Sequence, residues 1–356
     1  MTMKQSLQGV IFVLAVLFAC NLLYSQEKVE RLFYYVDNEE SFASLKANID
    51  KISIVAPQVF SVDEDGIVWG AVDARVIDIA REHTVGVMPL IHNPGFDQQM
   101  LHRLLDNPQA RARCIGTLLE LCVQYKFLGI QFDFENLHMN DKKMFATFYQ
   151  ETAEALHKKG FKLSVAVVHR PEEYAGPTTY HKWLFENWRA GYDLHALAKA
   201  GDFISVMTYS QHTRRTTPGP NAGIPWVALV IEYFLKFMPP EKLSLGIPLG
   251  GQHWYTDLDT MKYFANARPW SKSVDYRTTK GLLERYKANM AWNDEQQVPY
   301  AIFDNAGLFE YIYFEDARSF KAKQDIMKKY KLRGFSTWVL GAEDPEIWNL
   351  LPVVTR

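Results

Sequence analysis

The sequence is poor in cysteine, with only three among its 356 residues: Cys20, Cys114 and Cys122. A fold held together by several disulfides is therefore excluded. Cys114 and Cys122 fall on one predicted helix, where a rise of about 1.5 Å per residue places them about 12 Å apart, too far for a disulfide. We interpret both as packing residues of a core.

An excess of charge of one sign is also missing. Lys and Arg number 39 against 41 Asp and Glu, giving a formal net charge of -2, and no long basic run occurs. Nucleic-acid-binding proteins usually carry a clustered basic surface, so we predict no nucleic-acid partner. The 48% hydrophobic and 22% charged residues are typical of a globular chain.

Motifs for phosphate and metal binding are missing as well. Neither G-x-G-x-x-G nor a P-loop occurs, which argues against a dinucleotide-binding open sheet. Histidines such as His92, His138 and His212 do not show a metal-ligand spacing such as H-E-x-x-H. We therefore predict neither a bound metal nor a cofactor.

The first 25 residues have the pattern of a signal peptide. Lys4 precedes an apolar run over residues 10–23, and a polar segment with Ser25 and Gln26 follows. The run is short for a membrane span of about 20 residues, so we predict export to the periplasm or the extracellular space. Two alternatives remain open: cleavage after Ser25, or lipidation at Cys20, whose preceding residues resemble a bacterial lipobox. We favour the first because Phe18 is bulky for a lipobox, and only the second would attach the protein to a membrane.

Short β-rich runs alternate with amphipathic helical stretches along the mature chain. Eight predicted strands, each followed by a helix, indicate a (β/α)₈ barrel rather than a doubly wound open sheet. The predicted strands cover residues 32–36, 52–57, 85–90, 129–134, 162–168, 203–208, 243–248 and 334–339. The predicted helices cover residues 41–49, 74–83, 110–125, 142–159, 193–200, 225–237, 319–330 and 345–350.

Two connections are too long for ordinary loops of such a barrel. Residues 169–192 follow the fifth predicted strand, and residues of about 250–318 follow the seventh. The second is long enough for a small α+β insertion, with a helix near 280–291 and strands at 300–304 and 309–314. Both leave the end of the barrel where active sites are built, so we predict one barrel over residues 26–356 with an inserted lobe.

Polar and apolar residues alternate along the fourth predicted strand. Gln131, Asp133 and Glu135 are expected to face the barrel lumen, while Phe132 and Phe134 face outward. Two carboxylates so close together cannot both ionise readily, so the pKa of one must rise. A carboxyl group with a raised pKa can act as a general acid at neutral pH. This pair is the strongest candidate for a catalytic site.

The segment from Leu128 to Glu135 resembles the D-G-x-D-x-D-x-E signature of glycoside hydrolase family 18, the chitinase-like barrels, and especially its peptidoglycan-lytic, spore-germination-type branch. The resemblance implies that Glu135 is the catalytic acid and that Asp133 orients the N-acetyl group of the substrate. Leu128 and Gln131 stand where the signature has aspartates. The amide of Gln131 can still donate a hydrogen bond to Asp133, so we include Gln131 among the substrate-binding candidates.

Other segments resemble the same family in the same order. Met207 and Tyr209 match its M-x-Y motif, in which the tyrosine binds the N-acetyl carbonyl, although Ser210 replaces the aspartate that usually follows. Trp338, in the last strand, matches the tryptophan at the floor of the sugar site. We also assign Tyr34 to substrate binding.

Two further features carry alternatives that the sequence leaves open. Trp254, after the seventh strand, either stacks on sugars or packs under the inserted lobe. Arg214 and Arg215, in the loop after Tyr209, either contact an acidic sugar substituent or form a solvated surface pair.

The resemblance implies an exported glycosidase that cleaves β-1,4 linkages next to N-acetylglucosamine in peptidoglycan or chitin-like glycans. Its mechanism would be retaining and substrate-assisted, with the 2-acetamido oxygen of the substrate as nucleophile. The alternative is a non-catalytic, lectin-like barrel that binds such polysaccharides. The sequence makes no prediction of the oligomeric state.

Overall fold

The computed structural model of the protein describes residues 29–258 and 267–355. The chain divides into two units, residues 1–30 and residues 31–356, and the second contains the fold described below. The predicted signal peptide and Cys20 lie outside the described residues. Within the described residues, no helix combines the length and apolar character needed to cross a bilayer.

A closed parallel barrel forms the body of the second unit. Eight strand positions follow one another around it, and β1 pairs with β2 to close the ring. The predicted (β/α)₈ fold is confirmed. The strands of this sheet are β1 (Glu30–Tyr35), β2 (Ile54–Val62), β3 (Val68–Trp69), β4 (Gly86–Val87), β5 (Leu90–His92), β6 (Gly129–Phe132), β7 (Lys162–Val168), β8 (Phe203–Met207), β9 (Leu243–Pro248) and β15 (Gly334–Trp338).

Amphipathic helices connect these strands and cover the barrel. Most begin at a side-chain cap, as at Asn38, whose side-chain Oδ1 accepts a hydrogen bond from the Ser41 N–H at 2.7 Å. The helices of the barrel are α1 (Glu39–Asn48), α2 (Ala74–Glu82), α3 (Gln98–Asp106), α4 (Pro108–Tyr125), α5 (Lys142–His157), α6 (Thr179–Leu184), α7 (Leu194–Ala200), α8 (Ile224–Phe234) and α10 (Ala317–Lys329). Both Cys114 and Cys122 are free and buried on α4.

An α+β insertion lies between β9 and α10, as predicted. Its antiparallel sheet has the strand order β11-β10-β14-β13-β12. Its elements are β10 (Gly251–Leu258), β11 (Ala267–Val274), α9 (Tyr276–Arg285), β12 (Ala291–Asn293), β13 (Val298–Asn305) and β14 (Leu308–Tyr313). Leu283 of α9 packs with Phe303 and Ile312 of the sheet, so this lobe has a hydrophobic core of its own.

Two predicted elements, the third strand and the lobe helix, differ from the structure for identifiable reasons. The third predicted strand is divided into β4 and β5, because Pro89 between them has no N–H for the ladder. The lobe helix starts at Tyr276 rather than near Lys280, because the Asp275 side chain accepts from the Thr278 N–H at 2.6 Å. It stops before Lys287, whose φ of 50° is left-handed, so Ala291 begins a strand instead.

Helical regions differ from expectation as well. Helix α3 was not predicted, although Asp97 caps it and Leu101, Leu104 and Leu105 form its buried face. The segment predicted as a helix at residues 345–350 is a 3₁₀ helix, Pro345–Leu350. Neither difference alters the order of strands around the barrel.

Candidate active site

A cavity of about 590 Å³ opens at the carboxyl ends of the barrel strands. This size is typical of a small-molecule or oligosaccharide site, and its position is the usual one in such barrels. Its lining includes Tyr34, Asp133, Glu135, Met207, Tyr209 and Trp338, which are six of the eight site residues predicted from the sequence.

Strand β6 delivers the two carboxylates to this cavity. The Asp133 N–H donates to the Ile91 carbonyl at 2.9 Å, which extends the parallel pairing one residue past the strand. Phe132 and Phe134 point to the opposite face, where Phe134 packs edge-on against Phe145 at a centroid distance of 6.0 Å. The alternation predicted for this segment is therefore confirmed, although β6 ends at Phe132, two residues earlier than expected.

Asn93 holds the backbone of Glu135 in place. Its side-chain oxygen accepts from the Glu135 N–H at 3.0 Å, and its side-chain nitrogen donates to the Glu135 carbonyl at 2.9 Å. Asn93 is completely buried, directly after β5. The sequence analysis missed this residue, and the only local signal was a polar side chain following a short apolar strand.

Burial dominates the electrostatics of the carboxylate pair. It raises the pKa of Glu135, and the nearby charge of Asp133 raises it further. Burial also raises the pKa of Asp133, but a hydrogen bond from the Gln58 amide, at 3.4 Å from the Asp133 Oδ2, acts in the opposite direction. Glu135 is thus the member of the pair that keeps a proton near neutral pH, as a general acid must.

Tyr209 lies in the same cavity, just past the end of β8. Burial, together with the neighbouring Tyr34 and Asp133, raises the pKa of its hydroxyl well above the usual value. The hydroxyl therefore remains protonated and can donate a hydrogen bond to a carbonyl oxygen. Trp338 packs against Tyr34 at a centroid distance of 5.6 Å.

Gln131 lies below the cavity rather than in it. It is completely buried, and its amide nitrogen donates to Ser164 at 2.9 Å and to Ser205 at 3.2 Å. The predicted hydrogen bond to Asp133 is wrong, because Gln131 sits level with Ser164 in the register of β6 and β7. Gln58, from β2, donates to Asp133 instead.

Trp254 does not reach the cavity either. It lies on β10, between two other strands of the lobe, and only 4% of it is exposed. Its ring packs edge-on against Tyr313 at 6.1 Å. Of the two alternatives for Trp254, the structure shows packing within the lobe.

The long connection after β7 adds cavity residues that the sequence analysis did not assign. His169 is buried, with Nδ1 at 3.2 Å from the Met207 carbonyl and Nε2 at 3.2 Å from a guanidinium nitrogen of Arg189. Because the guanidinium only donates, Nε2 accepts and Nδ1–H donates. Burial, and then the charge of Arg189, lowers the pKa of His169 to about 3, so its ring is neutral.

The described residues contain no group of three or more His, Cys, Asp or Glu side chains that could hold a metal ion. The polar groups that line the cavity include carboxylates, hydroxyls and guanidinium groups.

A sequence model of glycosyl hydrolases family 18 matches residues 31–343. The chain belongs to glycoside hydrolase family 18. The match includes the barrel, the inserted lobe and all six of the predicted residues that line the cavity. As a member of this family, the protein is a glycosidase.

Two similar proteins come from Bacillus subtilis (strain 168). An uncharacterized glycosylase, YvbX, is 25% identical over 330 residues, covering 91% of this chain and 90% of that protein. A cortical fragment-lytic enzyme is 29% identical over 262 residues, covering 73% of this chain. The match spans 57% of the cortical fragment-lytic enzyme, little more than half of its length.

Solved structures of the family share the fold. The spore cortex-lytic enzyme of Bacillus cereus superposes with a TM-score of 0.80 at 23% identity, over 90% of this chain and 73% of that one. A chitinase from Chromobacterium violaceum superposes with a TM-score of 0.78 at 25% identity, over 90% of this chain and 97% of that one. A cortex-lytic enzyme and a chitinase are thus about equally similar in shape to this glycosidase.

Proposed function

We propose that this glycosidase is exported and hydrolyses β-1,4 linkages next to N-acetylglucosamine in peptidoglycan or chitin-like glycans, with retention of configuration. One observation carries the proposal: among the described residues, Asp133 and Glu135 are the only carboxylates that line the cavity. Both come from the end of one strand. A two-carboxylate retaining site instead needs its acid and its nucleophile on opposite faces of the sugar ring.

The 2-acetamido group of the substrate supplies the missing nucleophile in this proposal. Glu135 gives its proton to the glycosidic oxygen as that bond breaks, and the acetamido oxygen attacks the anomeric carbon to form an oxazolinium ion. Asp133 stabilises the positive charge and accepts from the acetamido N–H, while the Tyr209 hydroxyl donates to the acetamido oxygen. Water then attacks the anomeric carbon as its bond to the acetamido oxygen breaks, which regenerates the acetamido group, and Glu135 takes the water proton, which restores the acid.

The preserved acid argues against the non-catalytic alternative. A carbohydrate-binding barrel has no use for a buried carboxyl with a raised pKa, whose burial destabilises the folded protein whenever it ionises. The names of its relatives, which include cortical fragment-lytic enzymes and chitinases, support a glycan substrate without choosing between the two polymers.

Export is proposed from the sequence pattern of residues 1–25 alone. Intact-mass analysis of the protein from its native envelope tests it. We expect a chain that begins within residues 20–26. A mature protein that retains Met1 would contradict export through a cleaved signal peptide.

Replacing the acid tests the proposed activity. The wild-type protein should release fragments from purified peptidoglycan or from a chitin oligomer, detected by mass spectrometry. E135Q should reduce turnover by roughly 10²-fold or more while leaving ligand binding nearly intact, because the change is isosteric and removes only the transferable proton. Exposed Glu172 provides the matched control E172Q, which should behave as wild type. Equal turnover by E135Q would refute the assignment, and wild-type binding without hydrolysis would favour the lectin-like alternative.

A further inference from the structure

Two arginines line the cavity beside the carboxylates. Arg189 ends the helical turn that follows α6, and Arg215 lies in the loop after β8. Strands β7 and β8 are neighbours in the barrel, so the segments that leave their carboxyl ends border the same side of its mouth. The cavity therefore presents two guanidinium groups from adjacent connections.

Arg189 is oriented by a hydrogen bond and has no acidic partner among residues 29–258 and 267–355. One of its terminal nitrogens donates to His169 Nε2 at 3.2 Å, and its buried Nε has no hydrogen-bond partner among the described residues. The His169 ring is neutral, so it orients the guanidinium without compensating its charge. Burial lowers the pKa of Arg189, because removal from water disfavours the charged form. A partly buried cation of this kind is costly unless something pairs with it.

Arg215 is presented by a short, hydrogen-bonded turn. The Thr213 N–H donates to the Thr216 hydroxyl at 3.0 Å, and the Thr216 N–H donates to the Thr213 carbonyl at 3.0 Å. The Arg215 side chain is exposed, lines the cavity, and forms no ion pair within the described residues.

Arg214, the residue before Arg215, places its side chain elsewhere. The Arg214 guanidinium lies over the Trp270 ring of the lobe, 5.5 Å from the ring centroid. Arg214 thus anchors the loop to β11, and it is absent from the cavity lining. The two arginines that the sequence analysis treated as one pair have separate positions.

Guanidinium groups bind carboxylates with paired, charge-assisted hydrogen bonds, which neutral hydroxyl and amide groups cannot match. A chitin-like chain offers only neutral groups. Peptidoglycan offers carboxylates, either on the lactyl ether of its second amino sugar or on the attached peptide. Both sources present the same chemistry to Arg189 and Arg215.

We propose that Arg189 and Arg215 bind a carboxylate of the substrate, so that this enzyme is selective for acidic, N-acetylated glycans over chitin. The inference rests on the proposed function for its substrate class, because it chooses between the two polymers named there. It assigns the arginines to substrate selection and gives them no part in bond cleavage.

Binding to an inactive enzyme tests this selectivity apart from catalysis. The full chain carrying E135Q is titrated calorimetrically with three glycans of equal length: a chitin oligomer, a peptide-free peptidoglycan strand with free lactyl carboxylates, and the same strand with those carboxylates amidated. We expect the carboxylate strand to bind about tenfold more tightly than the amidated one. A fourth glycan, bearing peptides, reports whether the peptide carboxylate is bound instead.

Adding R215Q should remove most of that preference without weakening the binding of the amidated strand. R277Q removes an exposed positive charge on α9, outside the cavity lining, and should leave the preference intact. R189K, which keeps the charge and is expected to preserve folding, should lose part of the preference because lysine has no planar fork. Melting temperatures report whether each variant is folded.

Equal affinities for the carboxylate, peptide-bearing and amidated strands would overturn the proposal, as would a preference that survives both R215Q and R189K. These results do not depend on turnover. The wild-type enzyme could cleave no glycan while E135Q still bound the carboxylate strand more tightly and lost that preference with R215Q. That result would refute the proposed hydrolysis and support the carboxylate site.

Discussion

The cavity joins two groups of residues of different origin. The strand-end group, Tyr34, Asp133, Met207 and Trp338, lies on or directly after regular barrel strands. The loop group, Tyr180, Trp183, Arg189 and Arg215, comes from the long connections after β7 and β8.

Three of the four strand-end residues are buried and three of the four loop residues are exposed, whereas Trp338 and Arg189 are intermediate. Tyr34 is 2% and Asp133 4% exposed, whereas Tyr180 and Trp183 are each 44% exposed. A barrel can hold reacting groups still at its strand ends, while its connections vary in length and composition. We therefore expect strand-end changes to alter catalysis on every substrate and loop changes to alter which substrates bind.

The largest effect predicted for this comparison is that of N93A. Removing the side chain leaves the Glu135 N–H and carbonyl without their buried partner, which should destabilise the protein by about 1–3 kcal/mol. Misplacement of the acid should lower kcat roughly tenfold. Steady-state kinetics and thermal melting measure the two effects. N349A, an exposed asparagine, is the control. A lower melting temperature with unchanged kcat would show that Asn93 does not position the acid.

A smaller effect, on the pH profile, is predicted for Q58L. The Gln58 hydrogen bond favours the ionised form of Asp133, so its loss should raise the Asp133 pKa. Because Asp133 acts as a carboxylate, the acid limb of the pH–activity profile should move to higher pH. The loss of activity on the alkaline side, as Glu135 gives up its proton, should remain. A profile of kcat/KM against pH checks this, and an acid limb that stays in place would contradict it.

Truncating the loop group should have the mildest effect. Trp183 stacks with Tyr180 at a centroid distance of 5.9 Å and an interplanar angle of 19°, forming a flat, exposed edge of the cavity. W183A should raise KM severalfold for long oligomers and leave kcat nearly unchanged, since sugar rings stack on such surfaces. Tyr174 is 59% exposed on the same connection but absent from the cavity lining, so Y174A is the matched control. A fall in kcat alone would remove the distinction between the two groups.

The strand-end group could be predicted because the sequence pattern that identifies it lies within a single strand. Alternation along one strand places Asp133 and Glu135 on the lumen face, and this pattern can be read without knowing any partner. Most strands could be predicted for the same reason. Single residues displaced some predicted boundaries. Pro89 interrupts the hydrogen bonds of a predicted strand and divides it in two, and Lys287, with its left-handed backbone, ends the lobe helix earlier than predicted.

The supporting residues could not be predicted because their partners are distant in the chain. Gln58 lies 75 positions before Asp133, and Asn93 lies 42 before Glu135. Neither side chain belongs to a recognisable local pattern. Arg189 and His169 line the cavity because of the path of the connection after β7, which the sequence does not reveal. Gln131 was predicted to bind substrate but lies below the cavity, because the depth of a strand residue in the barrel depends on strand register.

The stereochemistry of the first product tests the account most directly. Proton NMR of a fresh digest, recorded before the released sugar mutarotates, reports whether the anomeric configuration of the cleaved β-linkage is kept. A glycan of equal length without 2-acetamido groups is treated in parallel. Substrate assistance through Asp133 and Tyr209 predicts a β-anomer from the first substrate and no detectable cleavage of the second. An α-anomer, or equal cleavage of both substrates, would contradict it.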